Sequence, residues 1–318
     1  MLGTYAIISP VRNEEKFLSR TLESIINQQI RPVEWIIIDD GSSDRTLEIA
    51  QAAAAEHSWI KVFRRTDRGF REPGRGVVEA FNEGLSHLSR KQAEFVCKMD
   101  GDLEFGSEYF VTLLREFRAN PRLGMASGNT YIRAESGKLI MEKAAPGFVV
   151  GPIKMYRRAC FEDIGGLEPH LGWDSIDVYR SRMRGWETQN FPGLQVIHLR
   201  TMGTAKGIVW GKMRTGYDDY YLGYHPLFMF VRCLYRMSDR PLGINGIAIG
   251  LGYLRAWLTR KERIADAEFI AFVRAEQRAR LLRMFMSWRR GSSNPHTPTR
   301  PQVAARQEMA WRTSGGVL

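Results

Sequence analysis

The chain has 318 residues, 44% hydrophobic and 25% charged, with a formal net charge of +11, a composition that excludes a low-complexity or fibrous chain and fits a globular protein with a sizeable core. No apolar run reaches the roughly 20 residues that a spanning helix needs, and the strand-like run "YAIISP" starts within four residues, so no secretory leader is expected. Cys97, Cys160 and Cys233 are scattered without disulfide or metal spacing, as suits a reducing cytoplasm.

In chain order, the first 130 residues alternate short apolar runs with helical periodicity, which predicts an α/β fold with a mostly parallel central sheet flanked by helices. "TYAIIS" is the first strand, and a helix from about Glu14 carries Leu18, Leu22, Ile25 and Ile26 on one face. "VEWIIIDD" is the second strand, and "SSDRTLEIAQAAAAEH" is a helix capped at Ser43 or Asp44. "IKVFRR" is the third strand, followed by a helix through Val77, Phe81, Leu85 and Leu88. "EFVCKM" is the fourth strand, and Ser107 is expected to cap a helix bearing Phe110, Leu113, Leu114 and Phe117. Mixed elements follow: the strand-like "GMASGNTYIRA" and "FVVGPIKMYRR", a helix near 174–185, and the strand-like "LQVIHL".

Polar clusters stand where three strands end: "SPVRNEE", "DDGSSD" and "DGD". In open parallel sheets, ligands bind outside the carboxyl ends of the strands, so these loops are expected to line one crevice. In "MDGDLEF", Asp100 and Asp102 flank a glycine that permits a bend, and both can face one hard cation such as Mg²⁺ or Mn²⁺ held jointly with substrate phosphates. A plain solvated D-G turn is the alternative. Asp39 and Asp40 end the second strand, where an acidic residue can meet a base or ribose. No G-x-G-x-x-G follows the first strand and no G-x-x-x-x-G-K-[ST] occurs, so neither a dinucleotide fold nor a P-loop fits. The positive charge gathers at Arg64, Arg65, Arg68, Arg71 and Arg75 and again after residue 250; a solvated surface, an anionic substrate, an anionic membrane and nucleic acid are all compatible with it.

The ordered series "ISPVRNEEKFLSRTLESIINQQIRPVEWIIIDDGSSDRT", "GRGVVEAFNEGL" and "CKMDGDLEF" resembles glycosyltransferase family 2, the inverting enzymes of GT-A fold, over roughly residues 4–200. The resemblance implies a transferase that moves a sugar from a nucleotide-diphosphate donor, a UDP-sugar by family habit, to an acceptor hydroxyl. It implies that Pro10, Glu14, Asp39, Asp40, Arg75 and Asp100 contact the nucleotide, and that Asp100, Asp102 and His198 hold the divalent cation. In "GWDSIDVYRSRMRGWET" the family usually has a Glu-Asp pair, with a glycine and an aromatic about 11 residues later. Counting back from Gly185 reaches Asp174 as the implied catalytic base, with Trp173 where Glu is usual and Asp177 as the competing candidate.

The same resemblance divides the chain into a GT-A domain, 1–205 (nucleotide-sugar half about 1–105, acceptor half about 106–205), and a helical, basic and aromatic C-terminal region, 206–290. Residues 291–318 read as a disordered tail. The C-terminal third weakly resembles bacterial enzymes of surface polysaccharide assembly, which implies a glycan or polyprenyl-linked acceptor. Arg200, Lys206, Lys212 and Arg214 could embrace a diphosphate or an anionic lipid carrier, and Trp210, Tyr217, Tyr220 and Tyr221 could stack on a sugar or simply pack a core. The apolar segment 241–258, with basic flanks, reads as a membrane-interface helix or a buried hairpin. The expected location is therefore cytoplasmic, peripheral at the inner face of the cytoplasmic membrane. Three other readings stand beside this one: a nucleotidyltransferase, a non-catalytic family member hinted at by Trp173, and a basic nucleic-acid-binding protein. The last is disfavoured because acidic strand-end loops would repel phosphate, so no nucleic-acid partner is expected.

Overall fold

The computed structural model describes residues 2–70, 72, 74–89, 93–134, 136–142, 147–200, 207–238 and 243–289. The expected tail at 291–318, together with Arg71, Lys206 and Arg240, lies outside the described residues.

A nine-stranded sheet runs in the order β3-β2-β1-β4-β8-β6-β9-β5, with β7 beside β6. Its first half is wholly parallel: β1 (Tyr5–Val11) lies between β2 (Glu34–Asp39) and β4 (Phe95–Met99), and β3 (Ile60–Arg64) forms the edge beyond β2. Beyond β4 the sheet is mixed. β8 (Ile153–Arg157) runs antiparallel to both β4 and β6 (Leu123–Arg133), β9 (Glu187–His198) runs parallel to β6, and β5 (Leu103–Phe105) and β7 (Leu139–Met141) add short antiparallel pairings.

The apolar runs of β1 and β2 are continuous because both faces of the sheet are covered. Alternate residues serve two cores. Tyr5, Ile7, Trp35 and Ile37 pack with Leu18, Leu22 and Ile25 of α1 (Leu18–Ile26) and with Phe110, Leu113 and Phe117 of α4 (Tyr109–Ala119). Ala6, Ile8, Ile36 and Ile38 pack on the opposite face with Val78 and Phe81 of α3 (Arg75–His87). α2 (Thr46–Glu56) lies alongside β3.

Three local expectations change. α1 starts at Leu18, not Glu14, because Asn13 turns left-handed (φ 56°) and the amides that would begin a helix are spent elsewhere. Asn13 N–H donates to Ser42 Oγ (3.0 Å), Glu14 N–H to Thr46 Oγ1 (2.7 Å) and Glu15 N–H to Asp44 (3.2 Å), so the loop after β1 is stitched to the loop after β2. The N-cap of α2 is Arg45, with no side-chain cap bond, rather than Ser43 or Asp44; Asp44, one residue earlier, still accepts from Thr46 N–H (3.0 Å). Ser107 does not cap α4; the amide of Phe110 donates instead to Gln28 Oε1 (3.2 Å), reaching across from the end of α1. The stretch "LEF" after the carboxylate pair, for which the sequence predicts no element, is a strand, β5, held against Val196, Ile197 and His198 of β9.

The remaining helices are α5 (Arg158–Asp163), α6 (Trp173–Met183), α7 (Ile208–Tyr221), α8 (Pro226–Arg236), α9 (Ile244–Leu258) and α10 (Ala267–Arg289). Helices α6 to α10 share a third core that includes Ile176, Tyr179, Tyr220, Tyr221, Tyr224, Ile249, Tyr253 and Phe269. Tyr220 and Tyr221 are therefore core residues, and Tyr221 stacks on His170 at 3.5 Å between ring centres. The glycines of "PLGINGIAIGLGYLRAWL" have a concrete role. A Cβ on Gly252 would lie 2.0 Å from Met213 O, and one on Gly216 would lie 2.0 Å from Ile249 O, so α7 and α9 touch backbone to backbone. Among the described residues no helix is long and apolar enough to cross a membrane.

Candidate active site

The three acidic loops do meet. β2, β1 and β4 are parallel neighbours, so Asp39–Asp40, Asn13–Glu14 and Asp100–Asp102 emerge at one edge of the sheet. Thr21 Oγ1 donates to Gly101 O (2.9 Å) and accepts from Leu103 N–H (3.0 Å), which ties α1 to the Asp100–Asp102 bend. A Cβ on Gly101 would overlap Val11 Cγ1 at 2.7 Å, so the glycine lets this bend close against β1.

His198 ends β9 directly opposite Leu103 of β5, and that pairing brings it to the same edge. Its Nε2 faces Asp102 Oδ2 at 3.5 Å, and its Nδ1 faces Glu142 Oε2 at 3.3 Å. An imidazole nitrogen lone pair and a carboxylate oxygen pointing at each other need a cation between them. In the metal-free protein that cation is a proton: burial disfavours the imidazolium, but the hydrogen bonds and charges of Asp102 and Glu142 outweigh it and push the His198 pKa up to about 10. Burial likewise works against ionised Asp102, yet His198 and Arg200 hold its pKa below the ordinary carboxylate range. The same donors fit a divalent cation, since a carboxylate and an imidazole backed by a second carboxylate suit one. Glu142 had no signal in the sequence, because it follows the short β7 and meets His198 only through the pairing of β6 with both β7 and β9. Among the described residues no group of three or more metal-type ligands is already closed around a point. Asp100 turns partly away, with Oδ1 bonded to Lys98 Nζ.

Arg200 also spans the crevice. It pairs with Glu14, donates to Asn13 O (3.2 Å), approaches Asp102 Oδ2 at 3.7 Å and lies over the Phe17 ring. Asp39 is fully buried with its carboxylate on Ser42 N–H (3.2 and 3.4 Å) and Arg64 3.6 Å away. Asp40 is clamped by Arg65 (2.7 Å) and Arg68, and its backbone oxygen by Arg12. Pro10 lies in β1 opposite Ile38, with no amide to donate. Arg75 starts α3, is largely exposed and binds Glu79 (2.7 Å), which also faces the Arg65 and Arg68 that clamp Asp40. The basic cluster of the sequence is thus largely neutralised within the fold, with Arg65 and Arg68 answered by Asp40, Glu79 and Glu83.

The rest of the site is built on β4, β8 and α6. Lys98 and Lys154 are directly opposed across β4 and β8, and both are buried. Each has its own carboxylate: Lys98 binds Asp100, and Lys154 binds both oxygens of Asp177 (2.7 and 2.8 Å). The ring of Trp173 stands 5.1 Å from one ammonium and 5.3 Å from the other, so it shields two like charges from each other and attracts both. Trp173 is thereby a packing element where the family resemblance leads one to expect a carboxylate.

Asp177 also accepts from Tyr156 O–H (2.5 Å) and Val178 N–H (2.6 Å), and it is 2% exposed. A carboxylate so thoroughly engaged has no lone pair to offer a substrate. Asp174, one turn earlier, presents its side chain differently: Oδ2 lies against Gly151, where a Cβ would come within 2.9 Å, and its backbone oxygen is fixed by Lys154 Nζ (2.6 Å). Gly151 O accepts from Lys98 (2.9 Å), the same ammonium that holds Asp100. Asp174 therefore lies against Gly151, whose carbonyl shares the Lys98 ammonium with Asp100.

Comparison with known proteins identifies the family and the fold. The model of the family described as "Glycosyl transferase family 2" matches residues 6–165, about half of the chain. A poly-beta-1,6-N-acetyl-D-glucosamine synthase of Staphylococcus epidermidis is 34% identical over 127 residues, which cover 40% of this chain and 28% of that protein. The matched stretch is thus under a third of that relative's length. Among solved structures, the mannosyltransferase PcManGT from Pyrobaculum calidifontis, in complex with GDP-Man and Mn²⁺, superposes with a TM-score of 0.53 at 15% identity, covering 98% of this chain and 81% of that one. Residues 1–349 of S. aureus TarS, in complex with UDP-GlcNAc, give a TM-score of 0.53 at 17% identity, covering 90% and 87%. At such identities the likeness is one of fold.

Proposed function

The chain belongs to glycosyl transferase family 2, and from that membership we propose an inverting, metal-dependent transferase that moves a sugar from a uridine diphosphate donor to a hydroxyl of a glycan or polyprenyl-linked acceptor in surface polysaccharide assembly. The observation that carries the reading is Asp174 lying against Gly151, linked through Lys98 to Asp100, with Asp102 and His198 at the same sheet edge. The N-acetylglucosamine polymer named for the staphylococcal relative and the UDP-GlcNAc bound by TarS favour an N-acetylhexosamine donor.

In this reading Asp39 and Asp40 receive the base, Asp100 the ribose, and Asp102 and His198 hold a Mn²⁺ or Mg²⁺ ion. When bound, that ion supplies neutralisation of charge on the departing diphosphate. Arg200 exchanges Glu14 for a diphosphate oxygen. Asp174 takes the proton of the acceptor hydroxyl as its oxygen bonds to the anomeric carbon, and the bond to the diphosphate breaks with its electron pair on the phosphate oxygen. A single displacement inverts the centre and needs no second nucleophile. With UDP-GlcNAc and Mn²⁺ the purified protein is expected to release UDP slowly to water, and release is expected to stop in EDTA. Absence of any UDP release under a panel of divalent cations would sink the reading.

Two exposed stripes support contact with a membrane surface. On α9, Ile244, Ile247, Leu251, Leu254 and Leu258 recur at helical spacing opposite the buried face of Ala248, Ile249, Gly252 and Tyr253; on the neighbouring α8, Leu227, Phe230, Leu234 and Met237 do the same. Arg255, Arg260 and Lys261 lie exposed at the end of α9. Within segment 241–258, α9 packs one face on α7 and leaves the other apolar and open. An apolar stripe edged by cations suits the interface of an anionic bilayer, where a polyprenyl-linked acceptor would be presented. The triple change Ile247→Asp, Leu251→Asp and Leu254→Asp touches only exposed positions. It is expected to abolish co-sedimentation with phosphatidylglycerol vesicles while leaving the melting temperature within a few degrees; unchanged co-sedimentation would refute the assignment.

A further inference from the structure

Asp218, on α7, is a carboxylate that the reaction above does not use. Its side chain lies against the turn that opens α6: a Cβ on Gly172, two residues before Asp174, would stand 3.7 Å from Asp218 Cβ and 3.9 Å from its Cγ. Oδ1 is sealed from solvent and has no hydrogen-bond partner among the described residues. A buried polar atom left without a partner is costly, so its place near the proposed base calls for a reason.

The charges around it favour a neutral acid. Asp174 faces it from α6; Asp219, Tyr217 and Arg214 flank it on α7; Arg232 approaches from α8 but is engaged by Asp219 at 3.1 Å. Burial first, and then the charges of Asp174 and Asp219, raise the Asp218 pKa well above the ordinary carboxylate range against the weaker pull of Arg214 and Arg232. A carboxyl group buried beside other carboxylates gives up its proton less readily, so Asp218 is the one that keeps it.

We propose that Asp218 is the second carboxyl group of the acceptor site, a positioning residue whose O–H orients Asp174 and the incoming acceptor hydroxyl. The α7 helix thereby supplies, from outside the matched family region, the helper carboxyl that Trp173 removes from the sequence pair. The inference rests on the transferase reading, and in particular on Asp174 as base. The proton of the acceptor goes to Asp174, while Asp218 keeps its own and donates a hydrogen bond throughout the step.

This predicts an asymmetry between two substitutions. Asparagine retains a neutral donor of the same shape; alanine does not. Asp218→Asn is expected to lower kcat about threefold, and Asp218→Ala about 100-fold, in the full-length protein with UDP-GlcNAc and Mn²⁺. The pH profile supplies the readout that a merely structural residue would not move. Because Asp218 must stay protonated, kcat of the wild type falls as pH rises through its raised pKa, and Asp218→Asn is expected to lose that alkaline fall. An alkaline limb unchanged in Asp218→Asn, or Asp218→Asn as slow as Asp218→Ala, overturns the proposal. If Asp218→Ala does not fold, the profile of Asp218→Asn decides alone. Failure of the transferase reading looks different, since the wild type itself would then show no turnover.

Discussion

Asp174→Asn is expected to lower kcat by about 10³-fold while leaving donor KM within a few-fold and the melting temperature unchanged. A positioned general base contributes typically 10² to 10⁴ in rate, and the amide keeps the shape of the carboxylate while losing its ability to take a proton. The anchor of this stretch is the Asp174 carbonyl on Lys154 (2.6 Å), which a side-chain substitution leaves in place. An equal fall in kcat and kcat/KM is the signature of a group acting only in the transition state. Asp177 provides the contrast. Its carboxylate is the buried partner of Lys154 and Tyr156, so Asp177→Asn is expected to appear as lost stability, with Lys154 left as an uncompensated buried charge. Should Asp177→Asn cost only rate and Asp174→Asn only stability, the assignment of the base reverses.

Asp102→Ala is expected to abolish metal-dependent turnover, by about 10³-fold, and to erase the rise in melting temperature that Mn²⁺ with UDP gives the wild type. A ligand that binds only the folded state stabilises it in proportion to the logarithm of its concentration over Kd. A variant that cannot hold the cation therefore loses that rise even where residual activity is hard to measure. His198→Ala is the companion, because Nε2 faces the same oxygen at 3.5 Å; it is expected to lie between wild type and Asp102→Ala, with activity partly regained at high Mn²⁺. Asp102→Ala also strips an acceptor from Arg200, which approaches Oδ2 at 3.7 Å, so the measurement is made across a Mn²⁺ titration rather than at one concentration. Wild-type rates and an intact Mn²⁺-dependent shift in Asp102→Ala would overturn the site.

Much of this was legible in the sequence, and the reason is locality. The strands β1, β2 and β4 appear as apolar runs because each is covered on both faces, and α1, α3 and α4 appear through their periodicity. The acidic residues at the strand ends are visible because a carboxylate at the end of a buried strand interrupts a local pattern. The same locality explains the misses. Leu18 begins α1 where Asn13, Glu14 and Glu15 donate their amides to residues about 30 positions away, and the side chain that accepts from the first turn of α4 is Gln28, just past the end of α1. No window around Ser107 contains that information.

The sequence by itself determined the alternation of the elements, the three acidic loops and the family they resemble, since each depends on residues within one element or its flank. Tertiary structure decided which carboxylate is available. Asp174 and Asp177 stand one helical turn apart with similar neighbours in the chain, and only the packing of β8 against α6 commits Asp177 to Lys154 and Tyr156. Structure also brought Glu142 to His198, turned one face of α9 inward, set the arginine cluster against its own acidic partners and placed Asp218 beside the turn before Asp174. In every one of these the deciding term is an electrostatic or packing contact between segments distant in sequence. The energy of such a contact depends on which faces meet, and that is fixed only once the sheet and its helices have closed.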